Sequence, residues 1–119
     1  TCTQYAFSDS NDLSSVCQGA ADASDVIYIP TDNTCANNTE LINNICYGKV
    51  PVVAGEEGIC SGCGVATLSI SYYDLGVTTG EMASEMAIEY APQFTKKCNP
   101  ANAEALGLTI PEGYEAIAE

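Results

Sequence analysis

The sequence predicts an α/β fold, a three-layer, mostly parallel sheet with flanking helices. The chain has 119 residues, 46% of them hydrophobic, which suits a single domain with one core. Short apolar runs rich in β-branched residues alternate with stretches whose apolar residues recur at helical spacing. Polar turns separate the two kinds of segment, and this strand–turn–helix order is typical of βαβ crossovers.

The first predicted elements are a strand and a helix. Gln4–Phe7 is a short run of apolar and aromatic residues, which we interpret as a strand. Residues 8–12 then supply turn and helix-capping side chains. The helix predicted over residues 12–20 has one apolar stripe, formed by Leu13, Val16, Cys17 and Ala20.

A second strand and helix follow in the same order. Val26–Ile29 is continuous, apolar and β-branched, as expected of a strand covered on both faces. Residues 30–34 form a turn rich in capping residues. The next amphipathic helix ends at Gly48, and its apolar stripe is Leu41, Ile42, Ile45 and Cys46.

The second half of the sequence repeats the pattern less regularly. Val50–Ala54 and Val65–Ile70 are predicted strands, and a helix is predicted over residues 73–85. A last strand is predicted near Ile88–Tyr90, followed by a polar segment and a short helix near 100–106. No linker or second domain is evident within residues 1–119.

The charge composition excludes several functions. Sixteen Asp and Glu residues stand against three Lys, with no Arg and no His, for a formal net charge of −13. Such a surface repels nucleic acid and anionic membranes. Without histidine there is no Ser-His-Asp triad, no Cys-His dyad and no imidazole metal ligand. We predict a protein that is not an enzyme, with no catalytic residues, no cofactor and no metal.

The candidate ligand-binding residues lie in loops expected at the carboxyl ends of the parallel strands, where such sheets bind ligands. Carboxylates and hydroxyls with aromatic rings and no cation suit a small zwitterion with an apolar body. A protein carboxylate would accept hydrogen bonds from the ammonium group of the solute. The backbone N–H groups at a helix N-terminus would donate hydrogen bonds to the carboxylate of the solute. The candidates are Ser8, Asp9, Thr31, Asp32, Asn33, Glu56 and Tyr72.

Helix capping is the alternative role for polar residues in these loops. For Ser10 and Thr34 we favour capping, whereas for Asp32 and Glu56 we favour ligand binding. Glu56 and Glu57 could suggest a pair of acid–base carboxylates, but adjacent side chains in a loop usually diverge.

The seven cysteines are an odd number at irregular spacing, which does not resemble a disulfide framework. We expect most to be free thiols. Cys60 and Cys63 form a C-x-x-C pair, which is used by redox dithiols and by metal sites. Glycines flank the pair and a strand follows it, so we favour a loop with incidental thiols. A small thiol-disulfide oxidoreductase that uses Cys60 and Cys63 remains the alternative function.

Five ordered blocks of the sequence carry a resemblance to a known family. They are Tyr5–Leu13, Val26–Thr34, Val53–Gly58, Gly64–Tyr73 and Ile88–Pro92. In this order they resemble the ABC-transporter substrate-binding lipoproteins of the TrpX-like, tryptophan/tyrosine-binding family of Gram-positive bacteria. The resemblance implies a flavodoxin-like, type I periplasmic-binding-protein lobe that is incomplete, with residues 1–119 forming most of the C-terminal lobe of a two-lobed protein.

The resemblance also implies a function and a location. The solute would be an aromatic amino acid or similar zwitterion, bound in an interlobe cleft and passed to a membrane permease. Thr31, Asp32 and Asn33 match a strand-end loop that lines this cleft, Glu56 matches the next loop and Tyr72 the one after. The full-length parent would be an extracytoplasmic, cell-surface lipoprotein, whose signal peptide is absent from this chain.

The sequence departs from the family pattern at its start, where the opening βα unit of the lobe is missing. The missing strand would be central, next to Val26–Ile29. Gln4–Phe7 is therefore expected either to occupy the vacant position or to leave an exposed sheet edge that invites a homodimer. One lobe cannot close on a solute, so we expect weak or undetectable binding by this chain alone. A structural or assembly fragment without a ligand is the third alternative.

Overall fold

The structure is a computed structural model that describes residues 1–85 and 94–117. Within these residues one sheet has the strand order β1-β2-β3-β4-β5. Its strands are β1 (Ile27–Ile29), β2 (Val52–Ala54), β3 (Ala66–Ile70), β4 (Phe94–Cys98) and β5 (Glu115–Ala116). The helices are α1 (Ser10–Ala23), α2 (Asn33–Ala36), α3 (Thr39–Cys46), α4 (Glu57–Cys63), α5 (Tyr72–Glu85) and α6 (Pro100–Ala105).

The pairing of the strands confirms the predicted α/β class with a mostly parallel sheet. β1 pairs with β2 and β2 with β3 in parallel, with Ile29 opposite Ala54 and Ala54 opposite Thr67. β4 is antiparallel to β3, and β5 is parallel to β4. Because β1, β2 and β3 run in one direction, the loops that leave them emerge at the same edge of the sheet.

The hydrophobic core lies between one face of this sheet and the helices α1 to α4. Ile29, Val52 and Ala54 point to this face and are buried. They form one cluster with Ile42 of α3 and Ile59 of α4, which is 0% exposed. The alternation of buried and exposed residues along β2 follows directly from the two-residue period of a strand.

Two glycines allow the core elements to approach closely. A Cβ atom on Gly62 would lie 2.3 Å from the side chain of Thr39, so α4 packs directly against the start of α3. A Cβ atom on Gly55 would lie 2.7 Å from the backbone nitrogen of Thr31. The loop after β2 therefore contacts the loop after β1 through backbone atoms.

The opposite face of the sheet presents large apolar side chains to solvent. Tyr28, Leu68 and Phe94 are 65%, 61% and 74% exposed. Tyr28 lies opposite Val53 on the neighbouring strand, and Phe94 lies opposite Ile70. We call Tyr28, Val53, Leu68 and Phe94 the open face.

The predicted strand at Gln4–Phe7 is wrong. Residues 1–7 have no regular structure, and β1 is the outermost strand of the described sheet. Phe7 packs against the core, and the chain turns at once into α1. The Asp12 carboxylate accepts hydrogen bonds from the backbone N–H groups of Ser8 (3.0 Å) and Asp9 (3.1 Å), which fixes this turn.

Two further elements differ from the prediction. Residues 55–64 were expected to be a loop, yet α4 occupies Glu57–Cys63. The polar segment after residue 90 contains β4, whose alternating side chains Lys96 and Lys97 point to opposite faces. The helix near 100–106 is confirmed as α6, and the strand predicted near Ile88–Tyr90 lies outside the described residues.

Candidate functional site

The loops after β1 and β2 are joined at the carboxyl edge of the sheet. The Thr31 hydroxyl donates to the carbonyl oxygen of Gly55 at 3.3 Å. The backbone N–H of Gly55 donates to the Ile29 carbonyl oxygen at 2.7 Å, which extends the β1–β2 ladder into the loops. Thr31, Asp32, Asn33 and Glu56 are therefore brought together at adjacent strand ends.

Asp32 caps the short helix α2 and is half-buried. Its Oδ1 accepts a hydrogen bond from the backbone N–H of Cys35 at 2.8 Å. Burial, and secondarily the Asp32 carboxylate, raise the pKa of the Cys35 thiol to about 11. Capping was assigned to Thr34 from the sequence, but Asp32 performs it here, because a carboxylate one residue before the helix can reach the N3 amide.

Glu56 caps α4 with both of its carboxylate oxygens. Oε2 accepts from the backbone N–H of Gly58 at 2.8 Å, and Oε1 accepts from the N–H of Ile59. Its neighbour Glu57 turns away and pairs with Lys97 of β4 at 2.9 Å. The two carboxylates diverge as expected and have separate partners.

Lys97 places a cation at the carboxyl edge of the sheet, where the loop sequences predict none. Its ammonium group, partly buried, lies beside the start of α4 because Lys97 is opposite Thr67 in the antiparallel register. The sequence carries no strand signal for this placement, since Thr95, Lys96 and Lys97 are three consecutive polar residues between Phe94 and Cys98. The stretch therefore reads as a polar segment from its sequence.

Ser8, Asp9 and Tyr72 lie at the starts of the two longest described helices. Asp9, not Ser10, caps α1 by accepting from the N–H of Asn11 at 2.7 Å. A short connection joins the end of α1 to the start of β1, so the topology directs the start of α1 towards the carboxyl edge. Tyr72 is the first residue of α5, separated from the end of β3 by Ser71 alone, and is exposed.

The start of α5 differs from the other helix starts at this edge in its chemistry. The hydroxyl oxygen of Ser71 accepts from the backbone N–H of Asp74 at 3.2 Å. The cap of α5 is therefore a neutral hydroxyl, whereas Asp9, Asp32 and Glu56 cap α1, α2 and α4 with carboxylates.

The C-x-x-C pair lies in the core rather than in a loop. Cys60 and Cys63 are buried on α4, and the Cys63 thiol donates to the Ile59 carbonyl oxygen at 3.3 Å. Burial raises the pKa of each thiol to about 12. A redox dithiol needs an acidified, accessible thiol at a helix start, and this pair has the opposite properties.

Other parts of the described structure offer no competing site of this kind. A concavity of about 450 Å³ lies between α1 and α3, lined by Ser14, Asn37, Asn38, Glu40, Leu41, Asn44 and Ile45, none of them a candidate binding residue. Residues 1–85 and 94–117 contain no cluster of three or more Cys, Asp or Glu side chains arranged to hold a metal ion. Among the helices described, none is both long and apolar enough to span a bilayer.

Comparison with known proteins gives a family for the chain. The family model described as "ABC transporter substrate binding protein" matches residues 1–114. A tyrosine-binding protein from Clostridioides difficile (strain R20291) is 36% identical over 63 residues, covering 52% of this chain and 18% of that protein.

Solved structures share the fold. A ligand-free, open structure of a substrate-binding protein with adhesive properties from Clostridium difficile has a TM-score of 0.75 and 26% identity, covering 93% of this chain and 42% of that one. A Streptococcus pneumonia ABC domain in complex with L-Trp has a TM-score of 0.79 and 25% identity, covering 98% of this chain and 46% of that one. The chain thus spans less than half the length of these structures.

Proposed function

Because the chain belongs to the family of ABC transporter substrate-binding proteins, we propose that it forms most of the C-terminal lobe of a two-lobed protein that binds an aromatic amino acid. Members of this family bind solutes and are not enzymes. The thiol-disulfide oxidoreductase alternative is set aside on that ground, and the high pKa values of Cys60 and Cys63, about 12, agree.

The observation that carries the proposal is the linked pair of acidic loops after β1 and β2. The Thr31–Gly55 hydrogen bond ties these loops together, next to Asp32 and Glu56. The solute class is supported by the relatives, of which one is named as tyrosine-binding and another is in complex with L-Trp.

The hydrogen bonds at this edge suggest how roles divide among the candidates. Both oxygens of Glu56 already accept backbone N–H groups, so Glu56 holds its loop in shape. We assign the ammonium group of the solute to Asp32, whose capping bond uses Oδ1. Tyr72 offers an exposed ring for the aromatic body. Ser8, Asp9, Thr31 and Asn33 complete the proposed lining with polar side chains.

The setting of the full-length protein is proposed from the family. Substrate-binding proteins of ABC systems are typically extracytoplasmic and work with a membrane permease. We propose a bacterial cell-surface lipoprotein as the parent, in which this lobe and a second lobe close on the solute by a hinge.

Titration of the chain with L-tryptophan tests the site. We expect a dissociation constant in the millimolar range, because only half of the cleft is present; amide chemical shifts can measure it. Asp32→Asn keeps a good helix cap but removes the charge, and we expect about tenfold weaker binding. Asp25→Asn, at the amino end of β1, is the matched control and leaves binding unchanged. Micromolar binding, or equal effects of the two variants, would contradict the proposal.

A homodimer through the free edge of β1 is a second proposal, on a separate observation. The N–H of Ile27 donates to the Pro51 carbonyl oxygen, and the Ile29 carbonyl oxygen accepts from the N–H of Gly55. Because successive residues of a strand point their backbone groups to opposite sides, the N–H and C=O of Tyr28 point away from β2. Within residues 1–85 and 94–117 this edge of β1 is unpaired, and such an edge beside exposed apolar side chains favours pairing with a second copy. A chain of net charge −13 repels its copy, and salt screens that repulsion.

Light scattering at low and high salt tests the dimer. We expect a monomer at about 20 mM salt and a dimer at about 500 mM, since the screening length falls several-fold. Tyr28→Lys places a charge on β1 and abolishes the dimer, whereas Tyr73→Lys on α5, also exposed to solvent, does not. A monomer at both salt concentrations would show that the edge does not self-associate.

A further inference from the structure

One pair of cysteines in the core is in direct contact. The Sγ atoms of Cys17 and Cys46 lie 3.9 Å apart and are buried, although the residues are 29 positions apart in the sequence. Cys17 lies within α1 and Cys46 is the last residue of α3. The contact therefore joins two helices that the chain brings together only by folding.

The hydrogen bond between the two thiols makes them unequal. A hydrogen bond from Cys46, helped by the nearby Lys49 ammonium group, holds the pKa of Cys17 below its ordinary value. The same hydrogen bond, with burial, raises the pKa of Cys46. Lys49 is itself held in place by its ion pair with Asp22 at 2.5 Å. Cys17 is thus the better nucleophile of the pair.

We propose that Cys17 and Cys46 form a disulfide bond that links α1 to α3 when the protein reacts with a small-molecule disulfide. Bond formation requires the two sulfurs to approach from 3.9 Å to about 2 Å. The site is independent of the solute-binding edge, since neither cysteine belongs to the loops after β1, β2 or β3. In the structure all seven cysteines are free thiols, which agrees with the expectation from their number and spacing.

The chemistry is a thiol–disulfide exchange in two steps. The Cys17 thiolate attacks one sulfur of the external disulfide, which forms a mixed disulfide and releases one small thiolate. That thiolate takes the proton of Cys46, and Cys46 Sγ then attacks Cys17 Sγ. The protein disulfide forms and a second small thiolate leaves, to be protonated by water. The two cysteines are oxidised by two electrons and the external disulfide is reduced to two thiols.

Burial explains why Cys17 reacts first. Cys17 is 8% exposed and Cys46 only 2%, so a small disulfide reaches the sulfur on α1 when that helix opens locally. Cys60 and Cys63, although closer in sequence, are held as neutral thiols deep in α4. They serve as an internal comparison for the same chain.

Peptide mapping after oxidation tests the proposal. The reduced chain is equilibrated with oxidised glutathione, and free thiols are alkylated under denaturing conditions. Trypsin would leave both cysteines on one fragment, because the first lysine is Lys49. Cleavage at Asp and Glu separates them, since Asp22 and Glu40 lie between them. We expect a linked pair of peptides that contain Cys17 and Cys46, with Cys60 and Cys63 alkylated.

Thermal unfolding of matched variants gives a second readout. Oxidation raises the unfolding midpoint of the wild-type chain and of Cys35→Ser by about 10 °C, but not that of Cys17→Ser. Full alkylation of Cys17 and Cys46 after oxidation, or linkage of either to another cysteine, would overturn the proposal. The mapping uses the wild-type chain and holds even if a variant fails to fold.

Discussion

The two faces of the sheet differ in how their apolar residues are covered. On one face Ile29, Val52 and Ala54 are buried under the helices of the same chain. On the open face Tyr28 and Leu68 have the same apolar character but remain largely exposed. Neighbouring residues on one strand, such as Tyr28 and Ile29, thus have opposite surroundings.

The difference shows which part of the fold this chain stabilises by itself. Burial of apolar area is the main source of folding free energy. The face that the helices cover, which we call the closed face, therefore supplies most of the stability. Apolar side chains that remain exposed on a sheet mark a surface that another structure covers. The open face, with Tyr28 and Leu68 exposed, is such a surface.

Truncation of core residues is expected to have the largest effect and tests the comparison directly. Ile59→Ala removes a side chain that is 0% exposed and should lower the free energy of unfolding by about 3 kcal/mol. Leu68→Ala on the open face removes a similar volume and should cost less than about 1 kcal/mol. Urea denaturation of both variants measures the difference. Equal losses would mean that the open face is packed in solution.

Alkaline pH is expected to weaken the closed face next. Cys60 and Cys63 have pKa values of about 12 when folded, against an ordinary value of 9.0. The unfolded chain loses these protons first as pH rises, so stability is constant below about pH 8 and falls above pH 9. Each thiol should contribute a loss of about 3 kcal/mol by pH 11.

Substitution of Cys60 checks this assignment. The stability of Cys60→Ala should fall less steeply between pH 9 and 11 than that of the wild-type chain. Cys2→Ala, at an exposed position, should lose stability with pH as the wild-type chain does. Denaturation midpoints across this pH range are the measurement. Identical slopes in all three proteins would rule out the buried thiols as the cause.

Removal of a helix cap is expected to have a smaller effect. Glu56→Ala leaves two backbone N–H groups at the start of α4 without their acceptor, at a cost of about 1 kcal/mol. Glu57→Ala loses only the ion pair with Lys97, which is partly exposed and worth about 0.5 kcal/mol. If Glu57→Ala proved the more damaging change in thermal unfolding, the capping role of Glu56 would be wrong.

Acid pH is expected to give the smallest effect, confined to the start of α1. Two backbone N–H groups hold the pKa of the Asp12 carboxyl below its ordinary value of 3.8. Its stabilising effect is therefore complete above that value and lost as pH falls through the lower pKa of the folded state. Amide signals of Ser8 and Asp9 should shift only below about pH 4, and Asp12→Asn should remove the transition.

Periodicity in the sequence was sufficient for the elements that make the closed face. Leu13 and Cys17 define α1 by their helical spacing, and continuous β-branched runs define β1 and β2. The expectation that Val26–Ile29 is covered on both faces is wrong, because Tyr28 is 65% exposed on the open face. Periodicity was insufficient for α4, where seven residues with two glycines give less than two helical turns. It also misassigned Gln4–Phe7, since a run of three apolar or aromatic residues, Tyr5, Ala6 and Phe7, does not show whether a neighbouring strand is available for pairing.

The candidate site was predictable only at the level of loops. Strand order places the loops after β1 and β2 together, and the sequence shows which polar residues they contain. It does not show that Glu56 uses both oxygens as a cap, or that antiparallel pairing brings Lys97 to Glu57. Those facts depend on register and helix position, which are set by packing at long range.

Addition of L-tryptophan to the isotopically labelled chain shows where the solute binds, through the residues whose amide signals shift. We expect shifts at the carboxyl edge, in residues 31–33, 55–57 and 71–73, and smaller shifts with indole-3-propionate, which lacks the ammonium group. Shifts centred on the opposite edge, in residues 24–26 and 48–51, would contradict this prediction.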